Sequence, residues 1–407
     1  MRSARTQVQN NPQQHESLVY RLQSGITLAL GLITIAAFII YLIAALNWRT
    51  QLFAGVMLNN AVVVNRAQSS GQNNWNGLKA GLQAGDKLLS INGTPLSENP
   101  GDFATRRATL SQILSTLPPG EAAVEYSQPD GTVQTVTYRI NSGFPDRDFF
   151  VFFVIPYLSG LVVLGMGLGI AWFKYHQLEG LLAACVCFLM ALFMGGIFDL
   201  GTTYLMSRLW FMAGALLGGA ILSLGLIFPA REKFTYQEPR IIFAPLVITL
   251  IVSLVNILIY DQGAGGNFGL SSLISIVCLM VGALITGGLM YRRYRGAATR
   301  TIYDQSSMIL VGLLLSTMPG VLWLIAQLLR IQDSLVSIEA MMPFLITPIF
   351  GLTVALFHSR RLDTDFVFSR TVTYFVLMVA LIVGYFLLVL GASLIAGNLL
   401  PANNPTL

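Results

Sequence analysis

The residues of this chain that could do chemistry are three histidines, three cysteines and a scatter of hydroxyls and carboxylates within apolar runs. A membrane zinc protease needs two histidines one helical turn apart holding the metal, with a glutamate between them as base. His15, His176 and His358 stand alone, and none has a second histidine at that spacing. A serine protease of the membrane needs a base beside its nucleophile, and no histidine falls in an apolar run to activate Ser159. Cys185, Cys187 and Cys278 lie within apolar runs, where a thiol packs as a small inert hydrophobe. A pump or transporter would carry ionisable groups at mid-membrane. Asp199, Asp261, Asp333 and Glu339 fall instead at the ends of apolar runs, and Asn256, the notable interior polar group, needs only an interhelical hydrogen bond. Gly263-Ala264-Gly265-Gly266 follows no strand and is not a phosphate cradle. The sequence thus points away from an enzyme, and calls for no metal, cofactor or nucleic acid.

Composition explains why. Hydrophobic residues make up 54% of 407 positions and charged ones 11%, against roughly 25% charged in soluble domains. Only a protein with several membrane spans carries so few charges. The net charge of +5 is no nucleic-acid footprint, because the basic residues sit in short loops between apolar runs.

Residues 1–24 are polar and read as a disordered cytoplasmic tail. Residues 25–47 form the first span, long enough for a ~30 Å hydrocarbon core. Residues 48–145 are the one sizeable polar region and read as a small folded domain of α+β class. Within it, 53–56 and 61–64 read as opening strands, 69–76 as a polar loop, and 104–117 as a helix stopped by Pro118-Pro119-Gly120. A hairpin turning at Pro129-Asp130-Gly131 closes the domain. Residues 146–397 read as eight further spans, at about 149–173, 180–200, 208–229, 241–260, 270–291, 306–329, 337–357 and 371–396, with 398–407 a C-terminal tail. The fold expected is therefore a polytopic α-helical membrane protein of about nine spans with one inserted domain. The paired glycines at 195–196, 218–219 and 287–288 suit close helix packing.

Orientation follows from the basic residues. The N-terminal tail and alternate loops carry Arg2, Arg5, Arg21, Lys174, Arg231, Lys233, Arg240, Arg292, Arg293, Arg295, Arg300, Arg360, Arg361 and Arg370, while the other short loops carry only Arg208 and Arg330. The first set is expected on the cytoplasmic side of a bacterial cytoplasmic membrane, and the inserted domain outside.

The stretch Ala80–Leu96, AGLQAGDKLLSINGTPL, joins two apolar surfaces through Gly85-Asp86, runs through the strand residues Leu88, Leu89 and Ile91, and turns again at Asn92-Gly93, residues that tolerate positive φ. This pattern resembles the core of a bacterial PDZ domain. The resemblance implies a groove between a strand and a helix, in which a peptide or protein tail adds as a strand and backbone N–H groups capture its terminal carboxylate. Leu52, Phe53, Ala54, Gly55 and Val56 are the matching loop; use of the same fold only for packing or dimerisation is the alternative.

Two further stretches, Tyr291–Gly320 and Met341–Leu390, resemble the sensor half of bacterial membrane histidine kinases related to the competence-pheromone sensor kinase. The pattern there is Arg361, Leu362, Asp363, Asp365, then Arg370, Thr371 and Tyr374. Asp304-Gln305 stands where that family more often has Arg-Gln. The resemblance implies a non-catalytic, signal-sensing input module of a two-component system, a homodimer, and a separate kinase output half. The family's phosphoacceptor helix and ATP-binding domain are not in these residues, so no kinase activity is expected of them. Arg361, Asp363, Asp365 and Arg370 would form a turn at the anionic inner leaflet that either anchors the chain to membrane lipid or relays motion between spans. A stand-alone scaffold recruiting an envelope protein, without signalling, is the competing function.

Overall fold

The computed structural model describes residues 12–58, 62–66, 75–96, 103–118, 120–140, 143–262, 268–328 and 339–358. Its first helix, α1, runs from Pro12 to Arg49. It begins well before the apolar run, so Pro12–Ser24 is helical and not the unordered tail expected. Extending a helix already nucleated downstream adds one hydrogen bond per residue fixed, which is far easier than starting one.

The inserted domain is built from β1 (Met57–Leu58), β2 (Val64–Arg66), α2 (Asn76–Lys79), β3 (Lys87–Ile91), β4 (Thr94–Pro95), α3 (Phe103–Thr116), β5 (Gly120–Ser127) and β6 (Val133–Ile140). β1 and β2 pair antiparallel, and the other strands form a sheet in the order β4-β3-β5-β6, antiparallel throughout. Asn92 and Gly93 take φ of 50° and 75° between the paired Ile91 and Thr94, the left-handed turn that a two-residue hairpin requires. Asn92 Oδ1 also accepts from the Ala123 amide at 2.8 Å, tying the turn to β5. At the other end of β3, Gly85 takes φ of 100° and the buried Asp86 carboxylate accepts from the Gln83 amide at 2.7 Å. Leu82, Leu88, Ile91, Leu96, Val124 and Ile140 close the core beneath.

Residues 53–56, expected as a strand, form an irregular segment before β1. Gly55 has φ of 77°, and a Cβ there would lie 2.5 Å from the Gly77 nitrogen. The close approach to α2 bends the chain and postpones the strand.

The chain returns to apolar helix through α4 (Asp146–Phe149), a π-helical stretch at Phe150–Val154, and α5 (Ile155–Phe173). Then follow α6 (Leu178–Gly195), α7 (Ser207–Ile227), α8 (Lys233–Gln237), α9 (Ala244–Gln262), α10 (Phe268–Arg295), α11 (Arg300–Leu328) and α12 (Ile346–His358). Among the described residues, six helical segments are long and apolar enough to cross a membrane: 24–49, 146–173, 178–201, 207–227, 239–260 and 268–295. This is the architecture of a polytopic helical membrane protein. The span expected at 337–357 is a 3₁₀ segment at Glu339–Leu345 with Pro343 inside it, followed by the 13-residue α12. The span expected at 371–396 lies outside the described residues, as do Arg361, Asp363, Asp365 and Arg370.

Helix packing rests on missing side chains. Gly218 on α7 faces Cys278 and Gly282 on α10, and Gly195 and Gly196 on α6 meet Phe38 and Tyr41 of α1. Gly288 has nothing within 4 Å, so the pair at 287–288 is not a close contact of this kind. α9 and α10 present Ile248, Ile251, Leu254 and Leu284 outward, an apolar surface suited to lipid. Asn256 on α9 donates to the Ser271 carbonyl and to Ser275 Oγ on α10, each at 3.1 Å, and Ser275 Oγ donates to the Phe211 carbonyl of α7 at 3.0 Å. This polar layer joins three helices.

The two ends of the bundle differ. At one end Arg293, buried at the foot of α10, donates to the carbonyls of Gly225 (2.6 Å) and Phe228 (2.5 Å) and to Glu232 (3.0 Å), capping α7. Arg292 reaches Glu232 as well, and Arg231 pairs with Glu179 at 3.6 Å. The inserted domain joins the opposite end, where α1 finishes and α5 starts.

Candidate functional site

A cavity of about 360 Å³ opens where the inserted domain meets that end of the bundle, within the range of small-ligand sites. One wall is Leu52, Phe53, Ala54, Val56, Leu58 and Val62. The facing wall is Leu110, Ser111 and Leu114 of α3. The floor is the end of α1 (Ala44, Asn47, Trp48 and Gln51), and the remaining side is the loop Gly201–Leu205 between α6 and α7. Four of the five loop residues expected from sequence therefore line a groove against a helix. Gly55 does not; its role is the close backbone approach to Gly77. Phe53, Ala54 and Val56 are buried, while Leu52 and Leu58 are half-buried. Gly85, Asp86, Asn92 and Gly93 hold the two ends of β3 and stay out of the groove.

Aromatic rings fix the wall and floor. The Trp48 ring lies 6.1 Å from Phe53, 5.1 Å from Phe144 and 5.5 Å from Phe198, and Phe53 lies 5.2 Å from Trp75. Such pairs contribute about 0.5–1.5 kcal/mol each beyond burial. They come from α1, the inserted domain, the approach to α5, and the end of α6, so they dock domain on bundle. A polar bond crosses the same junction: Trp75 Nε1 donates to Asp148 Oδ2 at 2.7 Å, with both side chains buried. Tyr138 Oη donates to the Ala54 carbonyl at 2.6 Å and steadies the loop from behind. Burial pushes the Tyr138 phenol up, so it stays a neutral donor.

The loop Gly201–Leu205 is shaped by Asp199. Its buried carboxylate accepts from Thr203 Oγ1 and from the amides of Leu205 and Met206, each at 3.0 Å, at the start of α7. This places anionic charge at a helix N-terminus, where it is favourable.

Two strained residues sit in these walls. Among the described residues, three non-glycines have positive φ: Val62 (58°), Asn92 (50°) and Tyr204 (54°). Asn92 serves its turn, but Val62 and Tyr204 both line the groove. For a β-branched valine this conformation costs on the order of 1–3 kcal/mol, and such costs collect at ligand sites.

Among the described residues the groove has no charged side chain in its lining. Arg49, at the end of α1 just before the Leu52–Val56 loop, is committed elsewhere: Nη2 donates to Asp146 Oδ1 at 2.7 Å, and its guanidinium lies 4.9 Å from the Phe149 ring centre. His176 is exposed at the far end of α5, and among the described residues no three His, Cys, Asp or Glu side chains converge as a metal site.

Sequence reasoning missed Trp75, Asp148, Asn47, Trp48 and the 201–205 loop. A tryptophan beside a Gln/Asn-rich segment, and the aromatic run at the mouth of the second apolar stretch, were the available signals. Comparison with known family models, curated proteins and solved structures finds no match to this chain.

Proposed function

We propose that this chain is a non-catalytic membrane receptor that takes an extended ligand segment in the junctional groove and passes its occupancy into the helix bundle. One observation carries the reading: the walls come jointly from the inserted domain, the end of α1 and the α6–α7 loop. A ligand lodged there touches domain and bundle at once, so it binds two arrangements of those parts with different affinity, which is what a population shift requires. The strain at Val62 and Tyr204 supports a site held ready for a ligand.

The resemblances fill in the rest. The inserted domain is read as PDZ-like, with a peptide or protein tail as its family's ligand. The bundle is read as the input half of a two-component histidine kinase, acting as a homodimer with a kinase output half, in a bacterial cytoplasmic membrane with the inserted domain outside. The gathering of Arg231, Arg292 and Arg293 at the end of the bundle away from that domain supports this orientation. The scaffold reading shares the groove and differs in lacking output.

Solubilised native membranes, resolved on a native gel and probed with an antibody to residues 48–145, separate the two. A band that carries histidine phosphate after incubation with ATP supports the sensor. A band with no phosphorylated partner, at any ligand load, leaves the scaffold.

A further inference from the structure

We infer that the occupant of the junctional groove is an acyl chain of a membrane phospholipid, entering from the bilayer along the end of α1. The inference rests on the groove being the ligand site and concerns what it holds.

Charge is the first ground. A peptide terminus brings a carboxylate, and among the described residues the groove has no cation in its lining to meet it. Arg49 is turned onto Asp146 and over Phe149. A carboxylate placed there would have only backbone N–H groups to replace its water, with no ionic partner among the described side chains. Strand addition is the second ground. β1 is two residues long and already pairs with β2 along one edge, so it offers an added peptide little main-chain length. Position is the third. The floor residues Ala44, Asn47 and Trp48 alternate along α1 with Ile43 and Leu46, which are 55% and 46% exposed and belong to the apolar face of the same helix. The lipid-facing surface of the span therefore runs into the groove without an intervening charge. Leu58, Leu110 and Leu114 add apolar lining. Asn47, Gln51, Thr202 and Thr203 supply uncharged polar groups of the kind an ester linkage can use.

The test uses the full chain in nanodiscs containing a phospholipid with a photoactivatable diazirine in one acyl chain. Label positions are mapped by peptide mass spectrometry. The expected result is labelling of the peptides containing Leu52–Leu58 and Leu110–Leu114 as well as the outer face of α9. Leu205, 64% exposed at the groove, tolerates replacement. Leu205→Asp should lower groove labelling at least about tenfold, or about 1.4 kcal/mol, and leave α9 labelling unchanged. Leu114→Trp, which fills the groove, should do the same. Unchanged α9 labelling shows that both variants remain folded in the membrane. A competitor hexapeptide ending in leucine with a free carboxylate should not displace the label. Displacement by that peptide would overturn the acyl assignment while keeping the groove as a ligand site. Label confined to the membrane faces, with no peptide binding, would overturn both.

Discussion

The hydrogen bond between Trp75 and Asp148 gives the sharpest prediction about how the inserted domain is held on the membrane bundle. Trp75 is 0% exposed and Asp148 5%, and the 2.7 Å bond joins an indole N–H to a carboxylate oxygen. A hydrogen bond to a charged group contributes about 1.5–3 kcal/mol. Trp75→Phe removes it and also weakens ring contacts to Phe53, Phe144 and Phe152 at 5.2, 5.9 and 6.0 Å, for a total loss of about 3–5 kcal/mol. Asp148→Asn keeps the shape and loses the charge. Each substitution alone mixes several effects, so the quantity to measure is the coupling in a double-mutant cycle. Denaturant titration of the full chain in micelles, followed by hydrogen exchange in residues 75–96 and 146–154, should return a coupling of about 1.5–3 kcal/mol. Additivity to within about 0.5 kcal/mol would refute the bond as the tie between domain and bundle.

Three further outcomes follow from other contacts. Gly55→Ala should destabilise the inserted domain by about 2–4 kcal/mol, because it adds a clash with Gly77 to the left-handed strain; Gly93→Ala, at similar φ in open space, should cost about 1 kcal/mol, and equal melting shifts would remove the close approach from the account. Arg293→Met leaves the carbonyls of Gly225 and Phe228 short of a donor while Glu232 keeps Arg292, so thermal unfolding in micelles should show a loss of about 1–3 kcal/mol; restoration by adding Glu232→Gln would show instead that a stranded charge is the cause. For pH, the folded phenol of Tyr138 is raised above its ordinary value of 10.0; the stability it contributes is therefore complete below pH 10 and lost as pH climbs beyond it. Ultraviolet titration should show the number of tyrosines that resist ionisation fall by one in Tyr138→Phe.

What could be read in the sequence was whatever neighbouring residues decide among themselves. Apolar length placed six spanning segments, and the left-handed demand of Asn92-Gly93 placed the hairpin between β3 and β4. The helix α3 ended at Thr116, just ahead of Pro118. The junction was not legible, because Trp48, Trp75, Phe144 and Phe198 are far apart in the chain and each alone is an ordinary aromatic residue. Half the groove was visible through the Leu52–Val56 loop; the other half depends on how Asp199 folds Gly201–Leu205 against α1, which no local pattern announces. The displacement of the first strand to Met57 has the same origin, since Gly55 meets Gly77 only after the domain has closed. Helix α1 reaches back to Pro12 for a cooperative reason that composition alone does not carry.

The most direct test of the account is whether filling the groove is felt in the bundle. Hydrogen exchange of the full chain in nanodiscs, wild type against Leu114→Trp, reads this without a known ligand. Exchange should change in three places together: Leu52–Leu58, the loop Gly201–Leu205, and the π-helical entry Phe150–Val154. Change confined to α3 and the facing loop, with 201–205 and 150–154 unaltered, would contradict it and leave the groove a feature of the inserted domain alone.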